Sequence, residues 1–197
     1  MKKGTIVLIV IVLGILLLGG CGCSKYNGLV TSDQAVQQAW GNVETNYQRR
    51  TDLYNSVIKT IEGSANFEKS TLQEVIQARA NATSVHVDIN DPESLAKYQQ
   101  AQGQLQSAFG RLMAVAEAYP DLKTTKAFQD FQTQIEGTEN RINIARQDYN
   151  NTVNAYNLNV KTFPNNIYAG LFGFHPKAYY RSNQGSENAP DINFNIK

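Results

Sequence analysis

From Phe128 to Val160 apolar side chains return with a seven-residue rhythm: Phe128, Phe131, Ile135, Ile142, Ala145, Tyr149, Val153, Tyr156 and Val160, with Thr138 the one polar seam position. A chain carrying such a stripe is committed to a long amphipathic helix. Successive turns set these positions on one face, and water must be kept off that face by another apolar surface. The rest of the sequence supplies the partners.

Val36, Trp40, Val43, Tyr47, Tyr54, Val57 and Ile61 alternate steps of four and three, except where Arg50 takes the expected apolar place. Thr31 to Gln34 has capping-box spacing and predicts the start of this first helix. The run Glu62-Gly63-Ser64-Ala65-Asn66 predicts a break or sharp kink near Gly63 to Asn66. A second helix follows through Leu72, Val75, Ile76 and Arg79 to about Thr83. Asp91 then reads as an N-cap, with Pro92 at the first helical position and Glu93 complementing the helix dipole in the first turn. The third helix uses Leu95, Tyr98, Leu105, Phe109, Leu112, Val115 and Ala116 and stops at Tyr119-Pro120. The fourth begins near Thr124 or Thr125.

Helix lengths select an architecture. An unbroken first rod of about 50 residues would span ~75 Å at 1.5 Å per residue, and the third helix could cover only part of its stripe. Broken near Gly63, the chain gives helices of roughly 32, 17, 27 and 38 residues, where the first and last match and the middle two lie between them. The expected fold is all-α: an antiparallel four-helix bundle with long first and fourth helices, preceded by an N-terminal membrane anchor. The fourth helix returns the chain at about Lys161 to the end where it started, so the C-terminal segment is expected beside the membrane.

The anchor is read from residues 1–25, the bundle from 26–162, and an aromatic C-terminal segment with a loose tail from 163–197. From Ile6 to Leu18 every residue except Gly14 is apolar, and the 21 residues from Gly4 to Ser24 are uncharged. A bilayer core of ~30 Å needs about 20 helical residues, so a transmembrane span is feasible. A charged start, an apolar core and a small-residue end also describe a secretory signal, and Leu18-Gly19-Gly20-Cys21 has the form of a lipobox that would place acyl chains on Cys21. Both versions point the domain to the periplasmic or extracellular side, because Lys2 and Lys3 favour a cytoplasmic N-terminus.

Composition removes several classes of function. Of 18 Lys and Arg, three (Lys2, Lys3, Lys25) belong to the anchor, which leaves 15 basic residues against 17 acidic ones and no electrostatic footprint for nucleic acid. Cys21 and Cys23 both close the apolar segment, so the domain has neither disulfides nor thiolate metal ligands. His86 and His175 stand far apart outside any ligand-spaced motif, and no phosphate loop, nucleophile elbow or metalloprotease pattern occurs. Asp52, Glu74, Asp130 and Asp148 read as solvated or register-setting carboxylates. No catalytic, metal or cofactor residue is expected.

Two features remain. Arg50 on the seam must be paired if buried, and antiparallel pairing of the first and fourth helices sets it level with Glu136 and Glu139. The uncharged stretch Ile167 to Phe174 is apolar and aromatic. Its Phe172 and Phe174 either fold back to close the bundle's end, which we favour, or join Leu171 in contact with the membrane interface or a partner.

Tyr26-Asn27-Gly28-Leu29-Val30, Gln38-Ala39-Trp40, Gln48-Arg49-Arg50 with Asp52-Leu53, Glu74-Val75 with Ala78-Arg79, Glu117 to Lys123 and Glu136 to Ile142 form a set of blocks. With Ala145-Arg146, Asp148-Tyr149-Asn150, Tyr156-Asn157, Phe163-Pro164-Asn165-Asn166 and Ala169 to Phe174, they resemble the bacterial LemA family over essentially the whole domain. The resemblance implies an N-terminal anchor, an antiparallel helical bundle and no known enzymatic activity. Tyr54-Asn55-Ser56 departs from the family's usual apolar residue followed by Pro-Asn-Leu, so the first helix is expected to run straighter here. The expected function is a membrane-tethered, non-enzymatic scaffold of the cell envelope, with the membrane, an unidentified protein or a second copy as partners. The alternatives are a hydrolase or ligand-binding protein with an interhelical cleft, and an accessory subunit of a larger membrane complex.

Overall fold

The computed structural model describes residues 3–62 and 68–181, without the side chains of residues 3, 5–11, 13–21 and 123. These residues form six helices and no strand: α1 (Lys3–Glu62), α2 (Lys69–Ser84), α3 (Pro92–Ala116), α4 (Pro120–Lys123), α5 (Lys126–Lys161) and α6 (Asn165–Phe172). The described residues are all-α, as the stripes require. The expected break falls between α1 and α2, and Gly63 to Asn66 themselves lie outside the described residues.

The start of the first helix differs from expectation. Thr31 is not a cap: α1 is already helical there, and the Thr31 and Ser32 hydroxyls donate to the carbonyls of Asn27 (2.9 Å) and Gly28 (3.0 Å) four residues back. A capping box needs a non-helical residue before it, and nothing between Ser24 and Thr31 stops the helix. α1 also passes uninterrupted through Tyr54-Asn55-Ser56. Asp91 does cap α3, its carboxylate accepting from the Glu93 N–H at 2.9 Å with Pro92 in the first turn. The short α4 and the helical state of α6 are additions to the expected pattern.

The described chain divides into two units, with α1 and α5 contributing to both. The first takes α1 up to Asn46, α5 from Arg141, α6 and the chain to Tyr179. Its buried side chains are Leu29, Val36, Trp40 and Val43 of α1, Ile142, Ala145, Tyr149, Val153, Tyr156 and Val160 of α5, and Ala169 of α6. Trp40 meets Tyr149 edge-on with ring centroids 5.4 Å apart, and Asn159 bonds Ser32 at 3.2 Å, so α1 and α5 run antiparallel here.

The second unit takes α1 from Tyr47, α2, α3, α4 and α5 up to Asn140, together with the chain from Tyr180. Its core joins Tyr54, Val57 and Ile61 of α1 to Val75 and Ala82 of α2, Leu105, Phe109 and Leu112 of α3, and Phe128 of α5. Tyr54 and Phe109 stack at 3.6 Å. Thr138, the polar seam residue, is buried without penalty because its hydroxyl donates to the Gln134 carbonyl at 2.8 Å in its own helix. Arg111 and Glu74 pair across α3 and α2 at the half-exposed surface, where such a pair adds little.

Candidate functional site

In the second unit Arg50 is wholly buried, the largest side chain to be so. Its Nη1 donates to Glu139 Oε1 at 3.2 Å, and its Nη2 donates to the Gln102 side-chain oxygen at 2.6 Å and the Gln102 carbonyl at 3.2 Å. The guanidinium lies 4.7 Å from the Tyr47 ring centroid and 5.7 Å from that of Tyr54, close enough for cation–π attraction. Burial pushes the Tyr54 phenol above its ordinary range, against the downward pull of Arg50. One arginine thus ties α1 to α3 and α5, and it is consumed in doing so.

Of the two glutamates at this level, Glu139 reaches the arginine and Glu136 stays exposed. Both line an open groove of about 370 Å³ whose floor includes Tyr54, Phe109, Met113 and Ile135. A second open groove, about 670 Å³, runs between α2 and α3 over Ala78, Gly103, Ser107 and Ala108. Neither holds a histidine or cysteine, and among the described residues no three His, Cys, Asp or Glu side chains gather as a metal site. His86 and His175 are exposed.

The first unit carries a second polar constellation, which no motif or periodicity in the sequence marks. Lys177 is buried although it lies beyond the last helix. Its ammonium pairs with Asp33 at 2.7 Å and sits 5.3 Å from the Tyr156 ring centroid. The Asn157 side chain binds the Lys177 backbone twice, accepting from its N–H at 2.8 Å and donating to its carbonyl at 2.9 Å. Tyr149 donates to the Ala178 carbonyl at 2.9 Å, and Tyr179 donates to Asn154 at 3.2 Å. Burial raises the phenols of Tyr149 and Tyr156 to about 12, with Asp33 adding to the effect at Tyr156. In the second unit the Tyr180 and Tyr47 hydroxyls lie 2.5 Å apart.

Beyond Pro176, where the chain is expected to be extended or loose, residues 177–181 form no helix, and Lys177 to Tyr180 are tied down by these contacts. Backbone groups with paired neighbours and a buried, neutralised lysine hold the segment down. The remainder of that tail, 182–197, lies outside the described residues. Lys177 gave no periodic signal, but Gln102 did: it fills the seam slot four residues after Tyr98 and three before Leu105, the level at which α3 meets Arg50.

The aromatic end separates into two roles. Phe172 and Phe174 turn onto Tyr26, edge-on, with centroids 4.9 and 5.9 Å away. Leu171 stays 75% exposed, with Ile167 at 61% and Phe163 at 78%. Gly173, at φ 76°, ends α6 in the left-handed conformation that glycine adopts without a Cβ clash, and Phe174 N–H then donates back to the Ala169 carbonyl at 2.9 Å.

At the other end of α1, the Cys21 side chain lies outside the described residues, while Cys23 is a free, exposed thiol. Among the described residues no helix is long and apolar enough to cross a membrane. Most side chains of the run Gly4 to Ser24 lie outside that description.

Known proteins are similar to this chain over most of its length. The chain is 26% identical over 160 residues to protein LemA of Metamycoplasma hominis, a match covering 81% of this chain and 70% of that protein. It is 26% identical over 179 residues to magnetosome protein MamQ 2 of Paramagnetospirillum magneticum, covering 80% of this chain and 65% of that one. Magnetosome protein MamQ of Magnetospirillum gryphiswaldense is 26% identical over 177 residues, with 79% of this chain and 64% of that protein covered. The chain thus spans about two thirds of the length of the relatives it matches. The family match itself runs over residues 39–194, which takes in Arg50 with Gln102 and Glu139, Lys177 with Asn157, and α6, and on that extent the chain belongs to the LemA family.

Proposed function

We propose that this protein is a membrane-anchored, non-enzymatic scaffold of the bacterial cell envelope, holding an antiparallel four-helix bundle outside the cytoplasm for a protein partner. The observation that carries the reading is the continuity of α1. One helix of 60 residues takes in the uncharged run Gly4 to Ser24 and continues without interruption as the stripe that both cores bury. An anchor joined to a core by unbroken helix fixes a domain near the bilayer more closely than a flexible linker would. The anchor is either the span itself or acyl chains on Cys21.

The spending of polar groups supports a role without chemistry. Arg50, Gln102 and Glu139 in one unit, and Lys177, Asp33 and Asn157 in the other, are engaged within their own groups, and a general acid or nucleophile has to be free to meet a substrate. The relatives carry the name of a family or of the magnetosome rather than of a reaction. One observation favours a ligand-binding rival: the groove beside Tyr54, with the exposed Glu136 at its wall.

The test is fractionation of bacterial cells expressing the full chain, followed by crosslinking and mass spectrometry in the native membrane. Expected are retention in membranes after alkaline extraction, protease sensitivity from outside the cytoplasm and a specific crosslinked protein. Recovery of the intact chain in the soluble fraction overturns the reading. Incorporation of labelled fatty acid that is lost in Cys21→Ser identifies the lipid anchor, and its absence in both identifies the span.

A further inference from the structure

We infer that the exposed face of α6, with Phe163 ahead of it, is a seat for an anionic bilayer surface. In this arrangement the first unit would touch the membrane through a second element besides its N-terminal segment. The inference rests on the membrane-anchored reading above and adds a contact which that reading does not need.

The first ground is the inverted character of α6. A surface helix ordinarily buries its apolar face and shows a polar one to water. Here Ala169 is buried, while Ile167 and Leu171, four residues apart on one face, are 61% and 75% exposed, and Phe163 just before the helix is 78% exposed. Single exposed hydrophobes are ordinary, but neighbouring ones on one short element mark a surface that binds something.

The second ground is where α6 lies within the first unit. A Cβ on Gly22 would meet the Tyr168 ring at 3.4 Å, and Tyr26 packs on Phe172. These two contacts set α6 against α1 between Gly22 and Tyr26. Ile167 adjoins Tyr168 and Leu171 adjoins Phe172, so both lie close to the end of the uncharged run at Ser24. A helix leaving a bilayer at Ser24 or Lys25 would therefore have these side chains at the depth of the headgroup boundary, where aromatic and aliphatic side chains of interfacial helices settle.

Charge is the third ground, and it selects the kind of surface. No Asp or Glu occurs in residues 1–32 or 149–186, while Lys25 and Lys161 in those stretches are exposed. Asp33, the first carboxylate beyond the anchor, is already neutralised by Lys177. An apolar face bordered by lysines and free of carboxylates suits a bilayer rich in anionic headgroups and would be repelled by no group of its own. A water-soluble protein partner would be matched equally well by the apolar face but gives no reason for the missing carboxylates.

The experiment uses the full chain carrying Leu171→Trp and Trp40→Phe, and separately Ile167→Trp and Trp40→Phe, reconstituted into vesicles of phosphatidylglycerol and phosphatidylethanolamine. Some of the lipid is brominated on its acyl chains. Both new tryptophans replace exposed side chains, and circular dichroism with flotation establishes that each variant is folded and membrane-bound. Expected is loss of most of the tryptophan emission with brominated lipid, with weaker quenching in phosphatidylcholine vesicles and in Lys25→Glu with Lys161→Glu. Emission that ignores brominated lipid while the chain still floats overturns the seat and leaves the anchor standing. A tryptophan shielded from aqueous acrylamide yet unquenched by brominated lipid also overturns it, in favour of a protein or a second copy on that face. A folded chain that fails to float overturns the anchored reading itself.

Discussion

A buried guanidinium is among the most expensive groups a protein can take from water, and Arg50 shows how the cost is offset. Two of its nitrogens are bonded to Glu139 and Gln102, and two tyrosine rings lie near it. Its Nε has no protein acceptor. Arg50→Met strands a carboxylate and an amide and is expected to cost about 3–5 kcal/mol in urea unfolding. In that background Glu139→Met should cost less than it does alone. Equal costs in the two backgrounds would show that the pair is uncoupled. The tyrosines of the Lys177 clasp respond to alkali instead. Tyr149 and Tyr156 stay protonated to about pH 12 in the folded chain, against an ordinary phenol near 10. Their raised pKa means the unfolded chain loses these protons first, so their contribution is complete below pH 10 and is lost as pH rises toward 12. The thermal midpoint should fall across that window together with the appearance of tyrosinate absorbance. Tyr149→Phe with Tyr156→Phe should flatten the fall.

At the scale of elements, caps and seams differ in how far they can be read. The Asp91-Pro92-Glu93 start of α3 is local chemistry, complete within three residues, and it stands in the structure as written. Thr31 to Gln34 has the same kind of spacing but lies inside an existing helix, where a threonine hydroxyl bonds its own turn. Asp91→Ala should therefore cost about 1 kcal/mol and Thr31→Ala less than about 0.5, in paired denaturation curves. A large loss at Thr31 would restore a helix start there. The apolar stripes of α1, α3 and α5 were legible because each is a periodic property of one segment. Gln102 leaves a polar gap in the α3 stripe that went unread, and recognising its partner required knowing the level at which α3 crosses Arg50. Lys177 carried no such mark. An extended segment has no helical period, and the lysine's partners, Asp33 and Asn157, are brought together only by packing.

For the molecule as a whole, the telling fact is that α1 and α5 each run unbroken from one unit into the other. Melting one unit alone would cut two helices in mid-course and leave new unsatisfied turns at each cut, while gaining the entropy of only part of the chain. The two units are therefore expected to unfold in a single transition. The sequence provides a clean reporter, since the chain has one tryptophan and Trp40 belongs to the first unit's core. Arg50→Met weakens only the second unit. If the units are coupled, Trp40 fluorescence and far-ultraviolet circular dichroism shift together to lower urea and remain coincident. If they are independent, the circular dichroism curve splits and the Trp40 transition stays where it was. Lys177→Met, which strands Asp33 in the first unit, supplies the reciprocal case and should again move both signals as one.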